Sequence, residues 1–302
     1  MTARDILAHF HAFADTVDPP IDLGGTSDRI IMGDGDRDVR KVMVTWMSST
    51  AAVRAAAERG FDLLVTHEAT LWGPEPDILD RSEPSVSEVR RPGETVADTV
   101  ITWAPGTPSW ETALAKRRYI ESTGVVILRL HDVWDRFPDL GIPWSWARFL
   151  GLGDRPVRIA GGDRAEHRYD IEPVSFDELA RRVAARTARL GEPVVSVVGD
   201  GGRRVSRIGV GTGCGTNVSK YLAIGCDAGI VCDDMWEIRC FLDVGFARER
   251  GFPVIRVNHG TAEDPGMASL AGYLGRTFPS LEVEHLPHGN FYRMVGAGGR
   301  PA

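Results

Sequence analysis

Val254-Ile-Arg-Val-Asn-His259-Gly-Thr-Ala-Glu263-Asp-Pro-Gly266 is the stretch from which the fold can be read. Its β-branched start is the signature of a short buried strand. The strand stops at a histidine, and a glutamate follows four residues later. Pro265 fits the first position of a helix, with Asp264 as its cap. His259 and Glu263 thus fall at the carboxyl end of a strand, where open α/β sheets carry their ligand sites. Imidazole with carboxylate suits a borderline transition metal such as zinc, iron or manganese. Taken alone, His-x-x-x-Glu is more often just a strand-end histidine beside a helix-start glutamate.

A near copy elsewhere in the chain weighs against that plain reading. Gly124-Val-Val-Ile-Leu-Arg-Leu-His131-Asp-Val-Trp-Asp135 is again an apolar strand ending in histidine, with an acid four residues on. The likeness extends upstream. Val39-Arg-Lys-Val-Met-Val44 leads to Gly60-Phe-Asp62-Leu-Leu-Val-Thr-His67-Glu68, and Val205-Ser-Arg-Ile-Gly-Val210 leads to Gly225-Cys-Asp227-Ala-Gly-Ile-Val-Cys-Asp233-Asp234. Both halves read as strand, helical segment, Gly-x-Asp and strand, with polar residues at the strand end. The expected fold class is therefore α/β, built as two similar lobes from an internal duplication, with a metal site in the cleft between them. The lobes are expected over residues 1–150 and 151–302, meeting at the Gly/Arg/Asp-rich segment that starts at Gly151.

Composition sets the frame. The chain has 302 residues, 43% hydrophobic and 25% charged, enough for a sizeable core. Net charge is −7 and the basic residues are scattered, so general nucleic-acid binding is not expected. Cys214, Cys226, Cys232 and Cys240 form no Cys-x-x-Cys pair, which argues against a zinc ribbon or a thioredoxin-like motif. They fit reduced thiols, and a cytoplasmic location is expected. No signal-peptide core is visible, and no apolar run approaches the roughly 20 residues of a membrane span.

Along the chain, Thr2 to about Val17 reads as a helix capped by Thr2 with Asp5, and His9 and His11 as packing or surface residues. A short strand is expected at Ile30-Ile31-Met32, and a helix capped within Ser48-Ser-Thr50 over about 51–59. Thr66-His67-Glu68 stands at the next strand's end, where adjacent side chains diverge and could face two metals. Residues 73–108 form a long Pro/Asp/Glu-rich excursion, either a lid or a disordered insertion. Helices follow over 110–122, 144–150 and 176–190, and strands over 194–198 and 205–210. His167 is given no role. His285 and His288 lie in a terminal strand-and-turn segment that nothing in the sequence places at the site.

Two further chemistries can be weighed. Gly209-Val-Gly211-Thr-Gly213-Cys-Gly215 follows a strand and suggests a phosphate loop, but it misses the third glycine of Gly-x-Gly-x-x-Gly. The matching turn of the first repeat, Thr45 to Thr50, has no glycine. A packing turn is the expectation, with dinucleotide binding the third-ranked function. No Gly-x-Ser-x-Gly motif or catalytic cysteine context is present.

Four stretches together resemble the NIF-three-like dinuclear metal centre family, the GTP cyclohydrolase I type 2 homologues. They are Gly33 to Val42, Ala57 to His67, His131-x-x-x-Asp135 and His259-Gly-Thr-Ala-Glu263-Asp-Pro-Gly266. The resemblance implies two α/β lobes, a two-metal site between them and a homohexameric ring. It implies that His67 and Asp135 hold one ion, that His259 holds the other, that Glu263 bridges both, and that His131 sits beside them. The family usually has a second histidine where this chain has Glu68, a harder ligand that shifts preference toward manganese, iron or magnesium. The leading expectation is a metal-dependent hydrolase of a phosphate ester or nucleotide-like small molecule, with two divalent ions and His131 moving protons. The alternative is a non-catalytic metal-binding regulatory or scaffold protein.

Overall fold

The computed structural model describes residues 1–71, 85–90, 97–103, 105–160, 166–213, 218–233 and 238–293. The first half runs α1 (Ala3–His11), β1 (Arg29–Met32), β2 (Lys41–Thr45), α2 (Thr50–Glu58), β3 (Leu63–Thr66), β4 (Ser85–Arg90), β5 (Ala97–Trp103), α3 (Pro108–Thr123), β6 (Val126–Arg129), α4 (Asp132–Arg136) and α5 (Ile142–Leu150). The second runs β7 (Arg158–Ile159), β8 (His167–Ser175), α6 (Phe176–Thr187), β9 (Ser196–Val198), β10 (Arg204–Val210), α7 (Val218–Ala223), β11 (Ala228–Asp233), α8 (Ile238–Arg250), β12 (Val254–Asn258), α9 (His259–Thr277) and β13 (Glu282–His285). The 73–108 excursion falls mostly outside the described residues. Its described part is the antiparallel hairpin β4–β5 and the start of α3.

The first sheet has the order β1-β6-β3-β2-β13 and the second β7-β8-β10-β11-β12-β9. Within them, β2, β3 and β6 run parallel with β1 antiparallel at the edge. β10, β11 and β12 run parallel with β9 antiparallel at the edge. The two four-strand cores thus share one order and one set of directions. The Gly-x-Asp motifs do the same work in both. Asp62 accepts the backbone N–H groups of Arg40 (2.9 Å) and Lys41 (3.0 Å), and Asp227 those of Ser206 (3.0 Å) and Arg207 (2.9 Å). Each carboxylate ties the start of one parallel strand to its neighbour.

Parallel strands need cover on both faces, which their unbroken apolar runs supply. Val42, Val44, Leu63, Val65, Val126 and Leu128 face Ile6 and Phe10 of α1 and Met267, Leu270 and Leu274 of α9. The alternating Met43, Leu64 and Ile127 face α2 and α3 through Val53 and Ile120. In the second sheet Ile208, Ile230 and Ile255 pack with Trp146 of α5 and Phe176 and Leu179 of α6.

Two elements cross between the halves. β13 pairs in parallel with β2, so the last strand of the chain closes the first sheet across the expected 150/151 division. α5 and α9 each feed both cores, Ile142 and Met267 into one, Trp146 and Ala262 into the other. A Cβ on Gly266 would fall 3.0 Å from the Cα of Ile142, so glycine is what lets the two helices touch.

Pro265 does not start a helix, contrary to the expectation from sequence. α9 begins at His259 after an extended Asn258, and Pro265 lies inside it. An interior proline typically costs about 3 kcal/mol. Here it leaves only the Thr261 carbonyl without its helical donor, and every residue from Gly260 to Asp264 is buried. Tertiary packing of that first turn overrides the local propensity. Asp264 accordingly does not cap the helix. It accepts the backbone N–H of His288 at 2.8 Å.

Because Asp227 satisfies two strand N–H groups, Asp227→Ala is expected to lower stability by about 2 kcal/mol. That would be read as a lower urea midpoint at unchanged slope. An unchanged midpoint would contradict the anchoring role.

Candidate metal centre

Three strand exits supply the site. β3 ends in His67 and Glu68, β6 runs into His131 and α4 with Asp135, and β12 runs into the first turn of α9 with His259 and Glu263. His259 and Glu263 are thus successive-turn neighbours on one helix face, as helical spacing of four requires. The turn from β6 into α4 is set by Asp28. Its Oδ1 accepts the N–H groups of His131 and Asp132 and its Oδ2 that of Val133 (2.9 Å). Burial raises the pKa of Asp28, against the pull of these donors.

His67 is fully buried. Its Nδ1 lies 3.1 Å from the Leu130 carbonyl, which can only accept, so Nδ1 carries a proton and Nε2 is the nitrogen turned to the cluster. That Nε2 lies 3.3 Å from Asp135 Oδ1 and 3.4 Å from Glu263 Oε2. Yet neither His67 Nε2 nor Asp135 Oδ1 makes an aligned hydrogen bond, although both are buried. His131 stacks on His67 with centroids 4.3 Å apart, and its Nδ1 lies 2.9 Å from Asp132 Oδ1. Asp132 in turn accepts from Thr26 Oγ1 (2.8 Å) and the Ser27 N–H (2.7 Å). His259 Nε2 is 2.9 Å from Glu263 Oε1. Glu68 faces inward. Its Oε1 lies 3.7 Å from His259 Nε2 and 4.0 Å from His131 Nε2, and its Oε2 3.6 Å from Arg129 Nη2.

The electrostatics follow from crowding these groups out of water. Burial pulls the His131 pKa down, but Asp135, the hydrogen bond to Asp132 and Glu68 outweigh it and push it up to about 10. His67 is raised by Asp135 and Glu263, against burial and the neighbouring His131. Burial would raise Glu68 and Asp135, yet the adjoining imidazoles hold both below the usual carboxylate range. Without a cation, protons on the imidazoles balance the carboxylates. A cation would displace those protons and use the freed lone pairs. The sets His67–His131–Asp135 and His67–Glu68–Glu263 each bring ligand atoms within 4.8 Å of one another, close enough to hold an ion. His67 Nε2 and Asp135 Oδ1, 3.3 Å apart without an aligned hydrogen bond, fit that need.

All six expected residues therefore meet at one place. Sequence reasoning missed the residues that hold them. Trp46, at the end of β2, donates Nε1–H to Glu263 Oε2 at 2.8 Å. Arg129 donates Nε–H to the His67 carbonyl at 2.8 Å. A charge inside the apolar run Val126-Ile-Leu-Arg129 was a usable signal for it, since buried charges are found paired. Asp28 and Trp46 carried no local signal. Gly213 takes φ +69°, and a Cβ there would lie 3.4 Å from Glu263 Oε1 and 3.7 Å from His259 Nε2. The glycine turn thus walls the cluster, while residues 214–217 lie outside the described residues. Gly209 belongs to packing, because a Cβ would strike the Tyr221 ring. Cys226 and Cys232 are buried and form no disulfide among the described residues, with Cys232 Sγ 3.6 Å from the Gly211 carbonyl oxygen, and Cys214 and the Cys240 side chain lie outside the described residues. His288 packs edge-on to Trp46 at 4.9 Å, and His9 sits among aromatic rings with its Nε2 2.8 Å from the Tyr273 hydroxyl.

Two α/β lobes sharing a cleft lined with buried imidazoles and carboxylates define a candidate metal-binding protein. Residues 112–289 match the Duf34/NIF3 (NGG1p interacting factor 3) family, and the chain belongs to it. Among solved structures, protein ybgI, of unknown function, superposes with a TM-score of 0.67 at 19% identity, over 96% of this chain and 100% of its own. A Staphylococcus aureus protein gives 0.70 at 14% identity, over 98% and 99%. Reduced HcgD from Methanocaldococcus jannaschii gives 0.63 at 18%, over 95% and 98%. At these identities the likeness is one of fold. None of the curated proteins matches the chain.

The pKa of His131 has a consequence for the metal-free chain. It lies above the unfolded value of about 6.5, so protonated His131 stabilises the fold fully below that pH. The contribution fades as pH rises through about 10. Thermal stability after chelation should therefore fall between about pH 6.5 and 10, and Asp135→Asn should flatten the fall. An equally steep profile in the variant would contradict the assignment.

Proposed function

We propose that the chain binds two divalent metal ions and uses them to hydrolyse a phosphate ester or nucleotide-like small molecule. The observation that carries this reading is the pair of buried ligand-type atoms without an aligned hydrogen bond, His67 Nε2 and Asp135 Oδ1, beside Glu263. In it, His67 and Asp135 hold one ion, Glu68 and His259 the other, and Glu263 is shared. Zinc, iron and manganese suit this mixed donor set, and Glu68 in place of a softer imidazole favours the harder ions. Bound ions of this kind supply Lewis acidity and activate water.

The chain's own residues orient and move protons. Trp46 fixes one oxygen of Glu263 and so orients the shared carboxylate. Arg129 offsets part of the Glu68 charge. Asp132 holds His131 Nδ1, which leaves Nε2 at the partly open side of the cluster to give or take a proton. Among the described residues no helix is long and apolar enough to cross a membrane. A cytoplasmic homohexamer without general nucleic-acid binding remains part of the proposal.

Elemental analysis tests the reading. About two ions per chain are expected, with nearly all metal lost in the His259→Ala, Glu263→Ala double variant. Chelation should abolish hydrolysis of bis(p-nitrophenyl) phosphate, and added metal should restore it. Unchanged metal content in the double variant would overturn the site. One ion in wild type, with no hydrolysis, would favour the non-catalytic reading. A finer prediction concerns Glu68. Glu68→His should raise zinc affinity relative to manganese, and an unchanged affinity ratio in parallel titrations would show that residue 68 is not a ligand.

A further inference from the structure

Beside the cluster lies a group of aromatic rings that the metal chemistry does not use. Trp46, His288 and Phe291 stand mutually edge-to-face, with centroids 4.9 to 5.0 Å apart, and Tyr292 follows at 6.2 Å from Phe291. Trp46 is buried, whereas Phe291 and Tyr292 are each 45% exposed. Two adjacent large rings, each about half exposed at a site's edge, form an apolar patch of the kind that marks ligand-binding grooves.

The ledge is fixed in place. The His288 N–H donates to Asp264 Oδ1 at 2.8 Å, and the Asn290 N–H to the Leu190 carbonyl at 2.9 Å. Asn290 Nδ2 donates to the Gly191 carbonyl at 3.2 Å, and the Tyr292 N–H to Asn290 Oδ1 at 3.0 Å. The Phe291 N–H donates to Asn258 Oδ1 at 3.4 Å, on the residue that opens α9. The segment also sits down on the first turn of α9. A Cβ on Gly260, next to His259, would fall 2.8 Å from the Gly289 carbonyl oxygen and 3.1 Å from the Trp46 ring. Trp46 joins the ledge to the cluster, edge-on to His259 at 5.2 Å and hydrogen-bonded to Glu263.

We infer that Phe291 and Tyr292, backed by Trp46 and His288, stack a planar heteroaromatic ring carried by the ligand of the metal cluster. This rests on the metal-site reading for the ligand's other end, while the ledge itself rests on ring exposure and anchoring. Rigid aromatic side chains give contact area at little entropic cost, and any base-like ring offers a π face to them. The ligand class is therefore a ring-bearing phosphate of nucleotide type, and a bare sugar phosphate would miss the contact.

The test compares binding of AMP with ribose 5-phosphate, which keeps the phosphate and lacks the ring. It is run by calorimetry on the full chain, as purified and after chelation. Wild type should bind AMP tighter by about tenfold or more. Phe291→Ala and Phe291→Leu should each lose most of that preference, with ribose 5-phosphate affinity and metal content unchanged. Equal binding of the two probes, or binding of neither, would overturn the inference. So would a Phe291→Leu chain with the preference intact, or a Phe291→Ala chain whose native mass falls, since the ledge would then be a contact between copies. A preference that survives in protein shown to hold no metal would leave the ledge standing and sink the metal reading instead.

Discussion

Charge desolvated at the seam between the two halves is the constraint on which the structure depends. Glu263 and His67 are buried, Asp135 and Glu68 are partly buried, and the imidazoles of His131 and His259 complete the group. Unpaired ions in such surroundings are costly, and removing one partner leaves the others uncompensated. The chain meets this by geometry. Arg129 reaches Glu68, Trp46 reaches Glu263 and Asp132 reaches His131. What those partners leave over is His67 Nε2 and an oxygen of Asp135, 3.3 Å apart and without an aligned hydrogen bond. A divalent cation would satisfy both at once, which makes this place in the fold a candidate site as well as a seam.

The rest of the architecture exists to bring three strand exits to that seam. Parallel strands all present their carboxyl ends on one edge, so a duplicated parallel core delivers equivalent exits from each half. α9 supplies His259 and Glu263 from one half while its apolar face packs into the core of the other. β13 then completes the first sheet, and the segment beyond it folds back over the start of α9. Separating the halves would therefore take apart both cores and the cluster together. The site's geometry is set by core packing, which is stiff, with little left to loop conformation.

Much of this could be read from residues alone. The apolar runs ending in His67, His131 and His259 announced the strands and their exits, because fully buried parallel strands lack polar alternation. The paired Gly-x-Asp motifs announced the repeat, and their role as strand anchors explains why both halves keep them. Pro265 misled, since local propensity places proline at a helix start, whereas here the buried turn from Gly260 to Asp264 fixes the start. The pairing of β13 with β2 was hidden because Val283 offers only a four-residue strand signal, and sheet membership is a long-range property. Asp28 and Trp46 act across more than a hundred residues of sequence, on His131 and Glu263, and no spacing rule reaches that far.

Anomalous diffraction from crystals of the metal-loaded chain, recorded across the absorption edge of the bound metal, would locate a cation held at the seam. Anomalous density is expected within bonding distance of both His67 Nε2 and Glu263, and it should be lost in crystals of Glu263→Ala. Crystals of metal-loaded protein with no anomalous density there, and His67 Nε2 instead donating a proton to Asp135, would contradict a cation site at the seam.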